Sequence, residues 1–304
     1  MEIGMILLKQ IIMMFIFMLI GVMLYKRKKL TVQGSKEFGN LLLYVVIPLV
    51  IIKSFCVEKT DIRVQGLFLS AMLSVLSLLL AITISYLLFK KVHPLDNFAS
   101  CFSNAGFIGI PLVQAAIGEN AVFYIAAYIA LLNILQWTYG LFIMTQDQQV
   151  ISFKKLFMNP IVISTILGCV IFFCKLPMPE MGNTLLQAVA GLNTPLAMLI
   201  SGVYLAQISF LSMFHDKKLF FSSMVRLLII PLFTLCMMRL FPFISKEIRL
   251  AILIAASAPV GSNIAIFASL YDKEYLYSVK TICLSTILSM ITLPFIITIA
   301  QSWL

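Results

Sequence analysis

Asn104 is the residue of this chain best placed to hold a ligand. It stands in Phe102-Ser103-Asn104-Ala105-Gly106-Phe107-Ile108-Gly109-Ile110-Pro111, an island of Ser, Asn, Gly and Pro inside an apolar run. A carboxamide both donates and accepts hydrogen bonds, and Gly106 and Gly109 admit close backbone approach. A second island, Ala256-Ser257-Ala258-Pro259-Val260-Gly261-Ser262-Asn263, lies in the other half of the chain. There Pro259 removes a donor and frees a carbonyl one turn back, while Ser257, Ser262 and Asn263 add short polar groups and Gly261 another point of close approach. Neither island can continue a helix. In hydrocarbon every backbone N–H and C=O needs a partner, so a break survives only buried in protein or lining a cavity. A helix that restarts after a break offers its first N–H groups and the positive end of its dipole. Two such starts aimed at one point form an anion site, suited to a carboxylate. Paired breaks, one in each half, are the sequence mark of a secondary transporter's substrate site.

Other polar residues stand near these islands in the pattern. Asn133, Gln136, Trp137, Thr138 and Tyr139 interrupt an aliphatic stretch. Asn133 and Trp137 are four apart and share a helix face, so they either line a cavity against the breaks or hydrogen-bond a neighbouring helix. Thr281, Ser285, Ser289 and Thr292 form a stripe of small hydroxyl residues that reads as helix packing. Pro48 and Pro195 are a matched pair that either faces the cavity or only shapes a helix, whereas Pro231 and Pro294 read as kinks. Arg226 and Lys280 are the deepest cations. Snorkelling to the interface is the simple account of both, and attraction of an anionic substrate is the alternative. The expected binding set is therefore Ser103, Asn104, Gly106, Gly109, Asn133, Trp137, Ser257, Pro259, Gly261, Ser262 and Asn263.

The elements that position these residues follow from composition. Of 304 residues 62% are apolar and 11% charged, with mean hydropathy +1.06; a soluble domain carries about 25% charged residues. The apolar runs repeatedly reach the roughly 20 residues that span a bilayer. An all-α polytopic membrane protein is expected, with spans at 6–25, 38–56, 66–89, 97–117, 120–144, 157–174, 184–206, 219–241, 248–270 and 276–300. Alternate loops divide the basic residues twelve to seven, and Lys26-Arg27-Lys28-Lys29 leads the richer set. The positive-inside rule makes that set cytoplasmic and puts both termini outside a cell membrane. The first run reads as a retained helix, since no basic region precedes it and no small-residue cleavage site follows. The net charge of +10 is accounted for by these loops and not by nucleic acid.

Several chemistries are disfavoured. Cys56, Cys101, Cys169, Cys174, Cys236 and Cys283 form no Cys-x-x-Cys pair, and read as small buried residues. His93 and His215 stand alone, so neither a metal nor a cofactor is expected. The acidic residues all fall in loops or at span ends, away from the midplane where cation pumps keep a carboxylate. No nucleophile–base pair suggests an enzyme.

The halves also echo each other. Ile20-Gly21-Val22 matches Leu167-Gly168-Cys169, and Val46-Ile47-Pro48-Leu49 matches Asn193-Thr194-Pro195-Leu196, both at a shift of 147. Five spans per copy is an odd number, so residues 147–304 should sit inverted relative to 1–146, with spans 4 and 9 broken and crossing.

Asn104-x-Gly106-x-x-Gly109-x-Pro111-Leu112, Asn133 with Trp137-Thr138-x-Gly140, Asn159-Pro160, Ala258-Pro259-x-Gly261, Ser285-Thr286 and Leu293-Pro294 together resemble the auxin efflux carrier family. The resemblance runs along nearly the whole chain, and the short cytoplasmic loops resemble those of prokaryotic members. It implies ten spans in two inverted repeats, related in fold to the bile acid/sodium symporters. It also implies transport of an organic anion, a mono- or dicarboxylate such as malate or malonate or an auxin-like acid, held at the crossover by the position of Asn104. The plant carriers have Pro at both breaks, whereas the first break here has Ser103. Members of that family are often dimers, and a homodimer is compatible with this sequence. The partners so implied are the anion and the lipid bilayer. Two competing functions remain: a sodium-coupled symporter of the bile-acid type, and a receptor or partner subunit that binds without flux.

Overall fold

The computed structural model of the chain describes residues 2–147 and 149–304, and its regular secondary structure is helical. The helices are α1 (Glu2–Lys26), α2 (Val32–Phe55), α3 (Asp61–Phe89), α4 (Pro94–Cys101), α5 (Ala105–Ala116) and α6 (Glu119–Thr145). They continue as α7 (Pro160–Phe173), α8 (Glu180–Ala206), α9 (Lys217–Arg239), α10 (Lys246–Ser257), α11 (Asn263–Leu270) and α12 (Tyr275–Trp303). Single turns at Phe153–Phe157 and Phe210–Phe214 lie in the connections.

Each apolar run expected from the sequence forms helix, and among the described residues seven helices are long and apolar enough to cross a membrane: α1, α2, α3, α6, α8, α9 and α12. The runs at 97–117 and 248–270 are divided into α4/α5 and α10/α11 by the two polar islands. The run at 157–174 yields α7, whose 14 residues span about 21 Å at 1.5 Å per residue, short of the roughly 30 Å hydrocarbon core.

Local sequence sets the ends and the irregular turns. Thr31 and Thr60 accept hydrogen bonds from the amides of Gly34 (3.0 Å) and Arg63 (3.3 Å) and so cap α2 and α3. Asn159 does the same for Ile161 (2.9 Å), with Pro160 at the first helical position, where its missing N–H costs nothing. Widened π turns occur at Leu42–Val46, Ala105–Gly109, Gln136–Gly140 and Val225–Ile229. Three of them immediately precede Pro48, Pro111 and Pro231. A proline donates no hydrogen bond and its ring crowds the carbonyl four residues back, and the wider turn accommodates both. Pro231, expected as a simple kink, thus follows a π turn, while Pro294 lies inside α12.

The helices pack as two groups. α1, α2, α7 and α8 form one, in which α1 lies along α8 and α7 along α2. The second contains α3, α6, α9 and α12 around the two broken pairs. A side chain added at Gly202 would meet the Met18 carbonyl and Gly21 Cα, at 2.1 and 2.9 Å, so α1 and α8 approach backbone to backbone. Gly168 on α7 leaves similar room for the Phe55 ring of α2, which an added Cβ would meet at 2.4 Å. Both pairs obey one shift: 168 − 21 = 147 and 202 − 55 = 147. Gly4 of α1 abuts Thr298 of α12, so both chain ends lie on one face of the molecule.

Candidate functional site

The two interruptions cross and complete each other's hydrogen bonding. α4 ends at Cys101, and Phe102 leaves it extended (φ −110, ψ 116). Ser103 then pairs antiparallel with Val260. The Asn104 amide donates to the Pro259 carbonyl at 2.7 Å, and the Gly261 amide to the Phe102 carbonyl at 3.0 Å. The Val260 amide donates to Ser285 Oγ at 3.1 Å. A Cβ at Gly261 would stand 3.1 Å from the Ser103 carbonyl, so close strand contact selects the glycine. Two half-helices thus lose their internal bonds in the core and regain partners from one another, as a low-dielectric interior requires.

Beyond the bridge both chains restart. The Asn104 carbonyl accepts from the amides of Ile108 and Gly109, at 3.0 and 3.1 Å, and so opens α5. Ala105, Gly106 and Phe107 precede these first internal bonds. On the other strand Ile264 and Ala265 bond back to Gly261 (3.3 Å) and Ser262 (3.2 Å), opening α11. The starts of α5 and α11 lie beside a cavity of about 30 Å³. Its polar wall is Ser103, Asn104, Asn133, Gln136, Ser262 and Asn263; its apolar wall includes Leu43 and Ile47 of α2 and Ile161 of α7. The cavity therefore lies where the two helix groups meet, with room for about one water molecule.

Asn104, 6% exposed, donates from Nδ2 across the crossing to Ser262 Oγ at 3.1 Å. Asn263 Nδ2 donates to Gln136 Oε1 at 2.6 Å, and Asn133 Nδ2 to its own helix at Ile129 (2.9 Å). The Asn133 Oδ1 has no partner among the described residues. Seven of the eleven expected residues line this cavity: Ser103, Asn104, Gly106, Asn133, Gly261, Ser262 and Asn263. The Ser103 hydroxyl lies 3.3 Å from the Tyr128 hydroxyl.

The other four sit behind the cavity. Gly109 packs against Ala255 of α10, where an added Cβ would lie 3.5 Å from its Cα. Trp137 stacks edge-on with Phe267, centroids 4.9 Å apart. Pro259 supplies the carbonyl that Asn104 uses, and Ser257 is buried with its hydroxyl unpartnered among the described residues. Pro48 and Pro195 are not part of the lining. Gln136 was recognisable as a polar residue one turn from Asn133 in an aliphatic helix. Leu43, Ile47 and Ile161 carried no such signal, because a cavity wall and a core face have the same apolar spacing. The hydroxyl stripe on α12 divides similarly: Thr281 and Ser289 bond back within their helix, and Ser285 alone reaches the crossing.

Arg226 differs from its expected snorkelling position. Its side chain is 0% exposed, and Nη1 donates to the carbonyls of Ser100 and Cys101, both at 3.0 Å, while Nη2 donates to that of Ala256. The guanidinium is held inside because two helix ends bring bare carbonyls to it. Lys280 is only half-buried. Asp96, expected in a loop or at a span end, lies buried in the first turn of α4 and accepts from the Tyr277 hydroxyl at 2.5 Å.

Further cavities lie to either side. One turn along α2 from Ile47, Val50, Lys53 and Ser54 line a cavity of about 120 Å³. There Lys53 Nζ meets Glu119 Oε2 at 2.8 Å and also bonds Gln187 of α8, whose Nε2 donates to Glu119 Oε1 at 3.2 Å. At the start of α4, Asp96, Lys218, Lys273, Glu274 and Tyr277 line a cavity of about 410 Å³.

The polar cavity thus lies between two helix groups and is flanked by wider cavities. No curated protein matches the chain. A family model described as membrane transport protein matches residues 6–153 and 148–297. With both halves of its length matched, the chain belongs to that family of membrane transporters, the auxin efflux carrier family.

Proposed function

We propose that the chain is a permease that moves a small organic anion across the cell membrane by alternating access at the crossover. The observation that carries this reading is the convergence of the starts of α5 and α11, through Gly106 and Asn263, on one polar cavity. Each helix N-terminus carries about half a positive charge, and the first-turn amides suit a carboxylate. Asn104 adds a side-chain donor: its Nδ2 carries two hydrogens, and the bond to Ser262 uses one of them. The cavity of about 30 Å³ is too small for a mono- or dicarboxylate such as malate, malonate or an auxin-like acid, so loading requires the two helix groups to separate. The apolar wall from α2 and α7 belongs to the group that moves relative to the crossing.

Two features support ten passages in two inverted repeats, divided near residue 147; placing both termini outside rests on the loop charges alone. The breaks pair antiparallel, as inversion requires. The Gly21–Gly202 contact between α1 and α8 is mirrored by Gly168–Phe55 between α7 and α2 at the same shift.

The test is thermal stabilisation of the purified chain by a panel of mono- and dicarboxylates, followed by flux into proteoliposomes. A ligand that binds only the folded state raises the melting temperature by mass action. A shift with one acid class that disappears in Asn104→Ala supports the reading. Flux of that acid preserved in Asn104→Ala would sink the site assignment, and binding without flux would favour a receptor.

A further inference from the structure

Arg226 is a buried cation that the proposed anion site does not use. It has no carboxylate partner among the described residues, yet it is fully enclosed. Burying an unpaired charge is costly unless other groups supply the opposite charge. Here the supply comes from two helix ends: Ser100 and Cys101 close α4, and Ala256 lies in the last turn of α10. Each helix C-terminus carries about half a negative charge, so two together come to about one, which a single guanidinium neutralises. The opposite, positive ends belong to α5 and α11 beside the cavity. The crossing therefore separates charge, with amides on the substrate side and carbonyls on Arg226.

Carbonyls at the ends of broken half-helices are also the ligands with which secondary transporters hold a coupling sodium ion. We infer that the Arg226 guanidinium occupies the place of such an ion, as a cation tethered to α9, so that the crossing is neutralised without any sodium. Arg226 lies in the π turn Val225–Ile229. One turn earlier the Ser222 carbonyl accepts from the Ser100 hydroxyl at 3.2 Å, which pins α9 to the end of α4 at two places. The Ser257 hydroxyl, next to Ala256, is buried and unpartnered among the described residues, an additional oxygen for a metal ion once the guanidinium is removed. Consequently sodium does not drive the cargo through this site. That consequence rests on the anion-permease reading; the tethered cation does not.

The experiment needs no cargo, so its failure is separable from failure of the permease reading. The purified full-length chain is melted in sodium chloride and in choline chloride at equal ionic strength, with no organic anion present. The wild type should melt at the same temperature in both. Arg226→Met leaves the carbonyls bare; it should melt lower in choline and recover a saturable part of the loss, a few degrees, in sodium. Arg226→Lys keeps a cation and should remain indifferent to sodium. A sodium-dependent melting temperature in the wild type overturns the inference, as does a folded Arg226→Met with no sodium response. If Arg226→Met does not fold in either salt, Arg226→Lys decides. A folded, sodium-indifferent lysine variant supports the inference, and an unfolded or sodium-responsive one overturns it, because geometry and not charge would then be what Arg226 provides.

Discussion

Arg226 and Lys53 each join three separate elements, and they do so by opposite means. Arg226 is wholly buried and bonds only to backbone carbonyls, while Lys53 is 20% exposed in its side chain and pairs with Glu119, which is 57% exposed. In the interior a carboxylate partner would itself need desolvation, whereas helix ends offer negative potential from groups already committed to the fold. Near the surface water screens the pair, and such bridges contribute only about 0–1 kcal/mol. Arg226 therefore fixes a permanent junction inside one helix group. Lys53 and Gln187, from the other group, meet Glu119 through bonds weak enough to open. On the alternating-access proposal, the contrast separates what stays from what moves.

Measurements can break or sharpen this contrast. The largest effect is expected from Arg226→Met, which strips three carbonyls of their donor. At about 1–3 kcal/mol per unsatisfied buried group, the loss should be on the order of several kcal/mol in thermal or chemical denaturation in sodium-free buffer. A loss below that of Lys53→Ala would reverse the comparison. Asn104→Ala comes next. Removing its bond to Ser262 should cost about 1 kcal/mol of stability but all of the stabilisation by an organic anion, a pairing that melting curves with and without the acid will read.

Lys53→Ala should cost no more than about 1 kcal/mol, and a cycle with Glu119→Ala should give a coupling of about 0.2–1 kcal/mol. If the pair closes the path along α2, the same variant changes flux more than stability, which proteoliposome rates compare directly. The smallest expected effect is that of salt. Raising ionic strength to about 1 M, where the screening length is about 3 Å, should erase the Lys53–Glu119 coupling. The penalty of Arg226→Met should persist when the added salt contains no sodium.

Much of the site was legible because its residues violate the rules of their surroundings. Ser103, Asn104, Gly106, Gly261, Ser262 and Asn263 are conspicuous in apolar runs, and all of them reach the cavity. Gly109 and Trp137 look equally unusual yet pack behind it, since periodicity fixes which residues share a helix but not how that helix is rotated against its neighbours. Arg226 was misread for a related reason. A cation one or two turns inside a helix snorkels by default, and only the meeting of α4 and α10, distant in sequence, supplies the carbonyls that keep it inside.

The sequence by itself determined a helical membrane chain, the places where two helices must break, and the carboxamide residue at each break, Asn104 and Asn263. These follow from hydropathy, from the chemistry of Gly and Pro, and from the demand that backbone groups in hydrocarbon be satisfied. Tertiary structure decided which groups satisfy them: each break answers the other through Ser103 and Val260, and Arg226 answers both carbonyl ends. Such partners lie 30 residues apart for Arg226 and Ala256 and more than a hundred for the others, and no local pattern encodes a contact made only when the helices cross.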